Sequence, residues 1–269
     1  MPYTTNVLDG SSVYFEDDGG PGAPVVLYGG ILDSVELVRG SHIARTLQQL
    51  SGEFRLIYAD HRGLGRSDKR HEIDAYAMPL QAADAVAVLD ELSVDRAHFI
   101  GRSYGGRLAF GIGEHAPERV LSLVAGGQQP YAVDPDGPLA RIIVGVLDAT
   151  RREGVAAFVE ALEGYWGTRF PDAERRGYLS QDGAAVAAAA EAMLTQGAIS
   201  DDLRTWRVPC LIYLGAGDVD FIEQARRAAD EIPNAEFVTL DELDHYGAHF
   251  EADHVVSAVL RTLRENSER

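Results

Sequence analysis

Ala97-His98-Phe99-Ile100-Gly101-Arg102-Ser103-Tyr104-Gly105-Gly106-Arg107-Leu108-Ala109-Phe110-Gly111-Ile112 decides the reading of this chain. An apolar, strand-like run leads into Gly101-Arg102-Ser103-Tyr104-Gly105, and a helix-like run leads out of it toward Pro117. A serine forced onto a tight strand-to-helix turn lifts its hydroxyl above the sheet. Glycines two places before and two after it permit the close backbone approach that such a turn demands. The helix that follows offers free N–H groups and a positive dipole end to developing negative charge. Ser103 is therefore a candidate nucleophile. The alternative is a glycine-rich turn that lays a helix closely on a sheet.

Outward from that turn, short apolar runs alternate with helical ones, the pattern of a mostly parallel sheet covered on both faces. Strands are expected at Val25–Tyr28, Arg55–Ala59, His98–Ile100, Leu121–Ala125, Leu211–Leu214 and Glu236–Leu240, after an opening hairpin of Tyr3–Leu8 and Ser12–Glu16. Helices are expected at Leu80–Leu92, Tyr104–His115, Ile222–Ile232 and Asp253–Arg264. The alternation stops between Gln128 and Val208, where helical pieces follow one another, including Leu139–Arg152, Val155–Tyr165 and the alanine-rich Ala184–Leu194. This predicts an α/β core of residues 1–127 and 208–269, with residues 128–207 as a helical lid over the C-terminal ends of the strands. Trp166, at the end of a lid helix, is the candidate for an apolar wall of a substrate pocket.

A serine hydroxyl needs a base. Of the eight histidines, His245 follows the last expected strand and precedes the last helix, on the rim where an open α/β sheet gathers its active groups. His249 and His254 are nearby alternatives, further toward the helix. A carboxylate must hold the imidazole, and the loop after Leu211–Leu214 supplies Asp218, with Asp220 as its rival. An oxyanion requires two backbone donors. The N–H of Tyr104, directly after the nucleophile, is one candidate. Gly30, in the flexible loop after Val25–Tyr28, is the other.

The 269 residues suit one α/β domain with an insertion, and 46% hydrophobic content can fill its core. A net charge of −18 argues against nucleic acid or an anionic membrane as partner. No run reaches the roughly 18 apolar residues of a membrane span, and the N-terminus lacks the pattern of a secretory signal, so the expected location is the cytoplasm. The single cysteine, Cys210, lies in an apolar run and reads as a buried bystander. No histidine pair has the spacing of a metal site, and none is expected.

Together these pieces resemble the α/β-hydrolase fold superfamily over nearly the whole chain. The resemblance rests on Leu27-Tyr28-Gly29-Gly30, Asp60-His61-Arg62-Gly63-Leu64-Gly65-Arg66-Ser67, Gly101 to Gly106, Gly215 to Asp218, and Asp244-His245. It implies hydrolysis of a small-molecule substrate through an acyl-enzyme, without an organic cofactor, and a cap where the insertion falls. The Asp60–Ser67 loop is usually structural in that family. Serine at the nucleophile position separates this chain from the dehalogenase and epoxide-hydrolase branches, which use aspartate. Two positions depart from the pattern: Tyr28 stands where many relatives have histidine, and Arg102 stands beside the nucleophile. The expected activity is cleavage of a small, largely uncharged ester or lactone. Carbon–carbon hydrolases, cofactor-free perhydrolases and ligand-binding receptors share the fold, and fold does not choose among them. Oligomeric state leaves no trace in the sequence.

Overall fold

The computed structural model describes residues 2–250 and 253–267, with residues 249, 250, 253 and 254 described by backbone alone. Its strands are β1 (Tyr3–Thr5), β2 (Ser12–Asp17), β3 (Ala23–Tyr28), β4 (Phe54–Ala59), β5 (Ala97–Arg102), β6 (Val120–Gly126), β7 (Cys210–Gly215) and β8 (Ala235–Leu240). They form an eight-stranded sheet in the order β1-β2-β4-β3-β5-β6-β7-β8. The pairings β1–β2 and β2–β4 are antiparallel, and every later neighbour is parallel. The opening strand is shorter than the sequence predicts. Asn6–Ser11 closes as a turn through Asn6 N–H to Ser11 O and Gly10 N–H to Asn6 O, and Val7 is left 92% exposed.

Helices α1 (Val35–Arg39), α2 (His42–Gln48), α3 (Met78–Glu91) and α4 (Tyr104–His115) belong to the first half of the core, and α9 (Ile222–Glu231), α10 (Gly247–Phe250) and α11 (Asp253–Asn266) to the second. Strand alternation divides the apolar side chains between two faces. Val26, Phe99, Leu123 and Ile212 pack with α3, α4 and α9, whereas Val25, Ile100, Val124 and Leu211 pack with α1, α2 and α11. Both faces are thus buried, which is why the central strands read as continuous apolar runs.

Between β6 and β7 lie α5 (Pro138–Glu153), α6 (Ala156–Trp166), α7 (Asp172–Leu179) and α8 (Gly183–Thr195). Ala187, Ala188, Ala189 and Ala190 are wholly buried, their small side chains letting α8 lie close against α5. The two ends of this insertion meet: Ile199 N–H donates to Pro130 O at 2.7 Å. Arg107 of α4, 1% exposed, reaches both ends as well, donating to Gln129 O and Tyr131 O at 3.3 and 2.9 Å and to Gly197 O at 2.9 Å. Among the described residues, no helix is long and apolar enough to cross a membrane.

Candidate active site

Ser103 sits between β5 and α4 with φ 52° and ψ −117°. A non-glycine residue in such a region is strained by roughly 1–3 kcal/mol and persists only where its surroundings enforce it. Three backbone bonds do so: Ser103 N–H to Gly126 O at 2.7 Å, Gly105 N–H to Gly29 O at 3.0 Å, and Arg107 N–H to Ser103 O at 3.1 Å. The turn is too tight for a side chain at its base, since a Cβ at Gly101 would lie 1.9 Å from Gly105 O.

His245 follows β8 and meets the serine. Its Nε2 lies 3.0 Å from Ser103 Oγ, and its Nδ1 lies 2.7 Å from Asp218 Oδ2. A carboxylate only accepts, so Nδ1 carries the proton and Nε2 faces the serine hydroxyl with its lone pair. Asp218 is 3% and His245 7% exposed, which keeps the contact out of bulk water. The loops that carry them are joined by Gly217 N–H to Leu243 O at 2.8 Å. Asp220 has a different task. Its Oδ1 accepts from Leu139 N–H at 3.2 Å and its Oδ2 from the Tyr165 hydroxyl, so it ties the insertion to the core. The side chains of His249 and His254 lie outside the described residues.

The loop expected to supply an oxyanion donor departs from that expectation. Tyr104 offers the first N–H of α4, a position with no intrahelical acceptor. Gly30 is close to Ser103, for a Cβ placed on it would lie 3.6 Å from Ser103 Cβ. Its N–H, however, donates to Asp33 Oδ2 at 2.5 Å, so this donor is occupied rather than open. A turn makes the bond: Asp33 N–H returns to Gly30 O at 3.0 Å, and the side chain folds back onto the amide three residues earlier. The same carboxylate oxygen lies 3.3 Å from Arg102 Nη2, which gives the partly buried guanidinium beside Ser103 its acidic neighbour.

His61 braces this loop from below. A trans peptide holds its C=O and N–H antiparallel, so whatever grips Gly29 O also aims Gly30 N–H. Gly29 O accepts from His61 Nε2 at 2.9 Å and from Gly105 N–H at 3.0 Å. The imidazole is 4% exposed, between the rings of Tyr28 and Tyr104 at centroid distances of 5.0 and 4.9 Å. Burial pushes its pKa down to about 4, keeping it a neutral donor. The rest of its loop is structural: Asp60 accepts from Val35 N–H and Arg66 N–H, both at 2.7 Å, and Arg62 is clamped by Asp84.

The insertion supplies aromatic cover. Trp166 stacks on His245 at 5.6 Å and 5°, and on Tyr246 at 5.8 Å and 21°. Phe170 closes on Trp166 from the insertion, and Phe221 on His245 from the core. Beside them stands Glu174 of α7, whose carboxyl is raised above its ordinary value by burial and then by the charge of Asp33. Sequence reading did not single out Asp33, Glu174 or Phe221, and it took His61 only as part of a structural loop. The one available signal was a carboxylate three residues after a loop glycine. Among the described residues, no group of three or more His, Cys, Asp or Glu is placed to hold a metal ion.

This chain belongs to the α/β-hydrolase fold family, whose pattern it matches over residues 23–252, and it is an enzyme of that family. It is 30% identical over 263 residues, 91% of each chain, to a Caulobacter sp. (strain K31) protein named "Putative carbamate hydrolase RutD". Among solved structures it resembles the enol-lactonase of Burkholderia xenovorans LB400, with a TM-score of 0.81, 22% identity, and coverage of 98% of this chain and 100% of that one. It also resembles a thermophilic esterase of Thermogutta terrifontis, with a TM-score of 0.81, 25% identity, and coverage of 99% and 98%.

Proposed function

We propose that this hydrolase cleaves small, largely uncharged esters or lactones through Ser103, His245 and Asp218, with residues 128–207 acting as the cap over the site. The observation that carries the reading is the unbroken hydrogen-bonded chain from Asp218 through His245 to a serine held at positive φ. Ser103 Oγ attacks the acyl carbon as its proton passes to His245 Nε2, and Asp218 steadies the imidazolium through Nδ1–H. That proton then goes to the leaving oxygen as the carbon–oxygen bond breaks, leaving the acyl on Ser103. Water gives a proton to Nε2 and adds to the acyl group, and the same proton returns to Ser103 Oγ as the acid departs. Tyr104 N–H, joined by Gly30 N–H once Asp33 releases it, receives the oxyanion.

The relatives' names point the same way, since carbamate hydrolase, enol-lactonase and esterase all describe attack on an acyl carbonyl. The aromatic cover of Trp166, Phe170 and Phe221 suits an uncharged substrate. An aryl phosphonate is the test. It should label one residue, Ser103, in stoichiometric amount, and Ser103→Ala should abolish both labelling and turnover while the protein remains folded. A label elsewhere, or none on folded enzyme, overturns the assignment.

A further inference from the structure

We infer that Asp33 selects substrates by masking the Gly30 donor, admitting carbonyl compounds that bring an N–H of their own on the acyl carbon, as a carbamoyl ester does. The inference rests on the serine-hydrolase reading and concerns the same site.

Gly30 N–H and Asp33 Oδ2 stand side by side at 2.5 Å, a donor next to an acceptor, each satisfying the other. Any carbonyl oxygen that takes over the Gly30 N–H must arrive against Asp33 Oδ2. A simple acyl group places a methyl or methylene there. The carboxylate is 5% exposed, so it would lose a charge-assisted bond with little water to replace it. It would also stand beside an oxygen gaining negative charge as the tetrahedral intermediate forms, and that repulsion opposes the reaction.

An O=C–N–H group avoids the first loss and reduces the second. Its oxygen and nitrogen are about 2.3 Å apart by ordinary bond lengths, close to the spacing of the protein's own pair. The substrate oxygen takes the Gly30 N–H while its N–H donates to Asp33, so both partners are satisfied again. Arg102 completes the arrangement. Its Nη2 lies 3.3 Å from Asp33 Oδ2 and would be 3.1 Å from a Cβ on Gly30, so a cation adjoins the oxyanion loop and offsets the carboxylate.

The test compares phenyl carbamate with phenyl acetate, which differ only in NH2 for CH3, and follows phenol release. Asp33→Ser should raise kcat/KM for the acetate by about 10-fold and lower it for the carbamate by a similar factor, because one substrate loses a mask and the other a partner. Equal changes in both would mean that Asp33 merely braces the turn, and would overturn the inference. Asp33→Asn keeps an acceptor for the turn without the charge; the ratio should move in the same direction by less, and this variant decides if Asp33→Ser fails to melt cooperatively. Phosphonate labelling of Ser103 in each variant separates the two readings. Labelled enzyme with an unmoved ratio rejects the role of Asp33 alone, and unlabelled folded wild-type enzyme rejects the hydrolase mechanism beneath it.

Discussion

His61→Phe isolates the bracing of the Gly29–Gly30 peptide, proposed above to meet the oxyanion, from ordinary packing. The substitution keeps a flat ring between Tyr28 and Tyr104, whose centroids lie 5.0 and 4.9 Å from the imidazole, and removes the Nε2 donor to Gly29 O. Gly29 O retains the Gly105 N–H, so no buried carbonyl is orphaned, and the loss of stability should be about 1 kcal/mol. Catalysis should suffer more. Removing an oxyanion donor outright costs about 100- to 1,000-fold. Here the donor stays but the carbonyl of its peptide loses one of two donors, so acylation should slow on the order of 10-fold with KM unchanged. The assay is the rate of phosphonate labelling of Ser103 beside kcat and KM for an aryl ester.

Acid stability gives an independent readout of the same substitution. With its pKa near 4 in the fold and near 6.5 in the unfolded chain, His61 binds a proton in the unfolded state but not in the native state between those values. Its contribution is therefore intact above about pH 6.5 and is lost as the pH falls toward 4, at about 1 kcal/mol per pH unit. His61→Phe should remove that slope and be less acid-labile than wild type. An unchanged labelling rate, whatever happens to the melting temperature, would refute the bracing role.

Asp218→Asn should lower kcat by about 1,000-fold or more, whereas Asp220→Asn should act mainly on KM, by loosening the Tyr165 and Leu139 tie; the reverse ranking in steady-state kinetics would reassign the acid. Trp166→Ala should reorder aryl and alkyl esters by kcat/KM while Ser103 still labels, and a fall in melting temperature with the ranking intact would make Trp166 packing only. Arg107→Met should leave the carbonyls of Gln129, Tyr131 and Gly197 without their donor, at roughly 1–3 kcal/mol each where water cannot replace it; limited proteolysis should then nick the insertion well before the core, and nicking at wild-type rates would count against the clamp.

The central strands were legible because burial on both faces makes them continuous apolar runs, and Tyr104–His115 was legible to the residue between Ser103 and Pro117. Helix α7 was not, because Asp-Ala-Glu-Arg-Arg-Gly-Tyr-Leu has little apolar face and folds with only Tyr178 buried. Helices α1 and α2 are too short to show a period. Ser103, Asp218 and His245 sit at predictable places, just past strand ends, and distances then distinguish Asp218 from Asp220 as the residue facing His245. Two contacts of the Gly29–Gly30 peptide were not legible. His61 acts on Gly29 across 32 positions of sequence, and such pairings carry no local signal. Asp33 is close to Gly30 in the chain, but only the turn geometry shows that its side chain folds back onto the amide.

The stacking of Trp166 on His245 makes the site visible to light. The chain has two tryptophans, and the other, Trp206, is buried beside Phe110 with its indole N–H on Glu114. Trp206→Phe would leave one fluorophore, lying 5.6 Å above the imidazole and nearly parallel to it. A protonated imidazole quenches indole emission more than a neutral one, and an indole moved off the ring loses that quencher. One emission trace would then report both the charge on His245 and any movement of Trp166 away from it, without a dye.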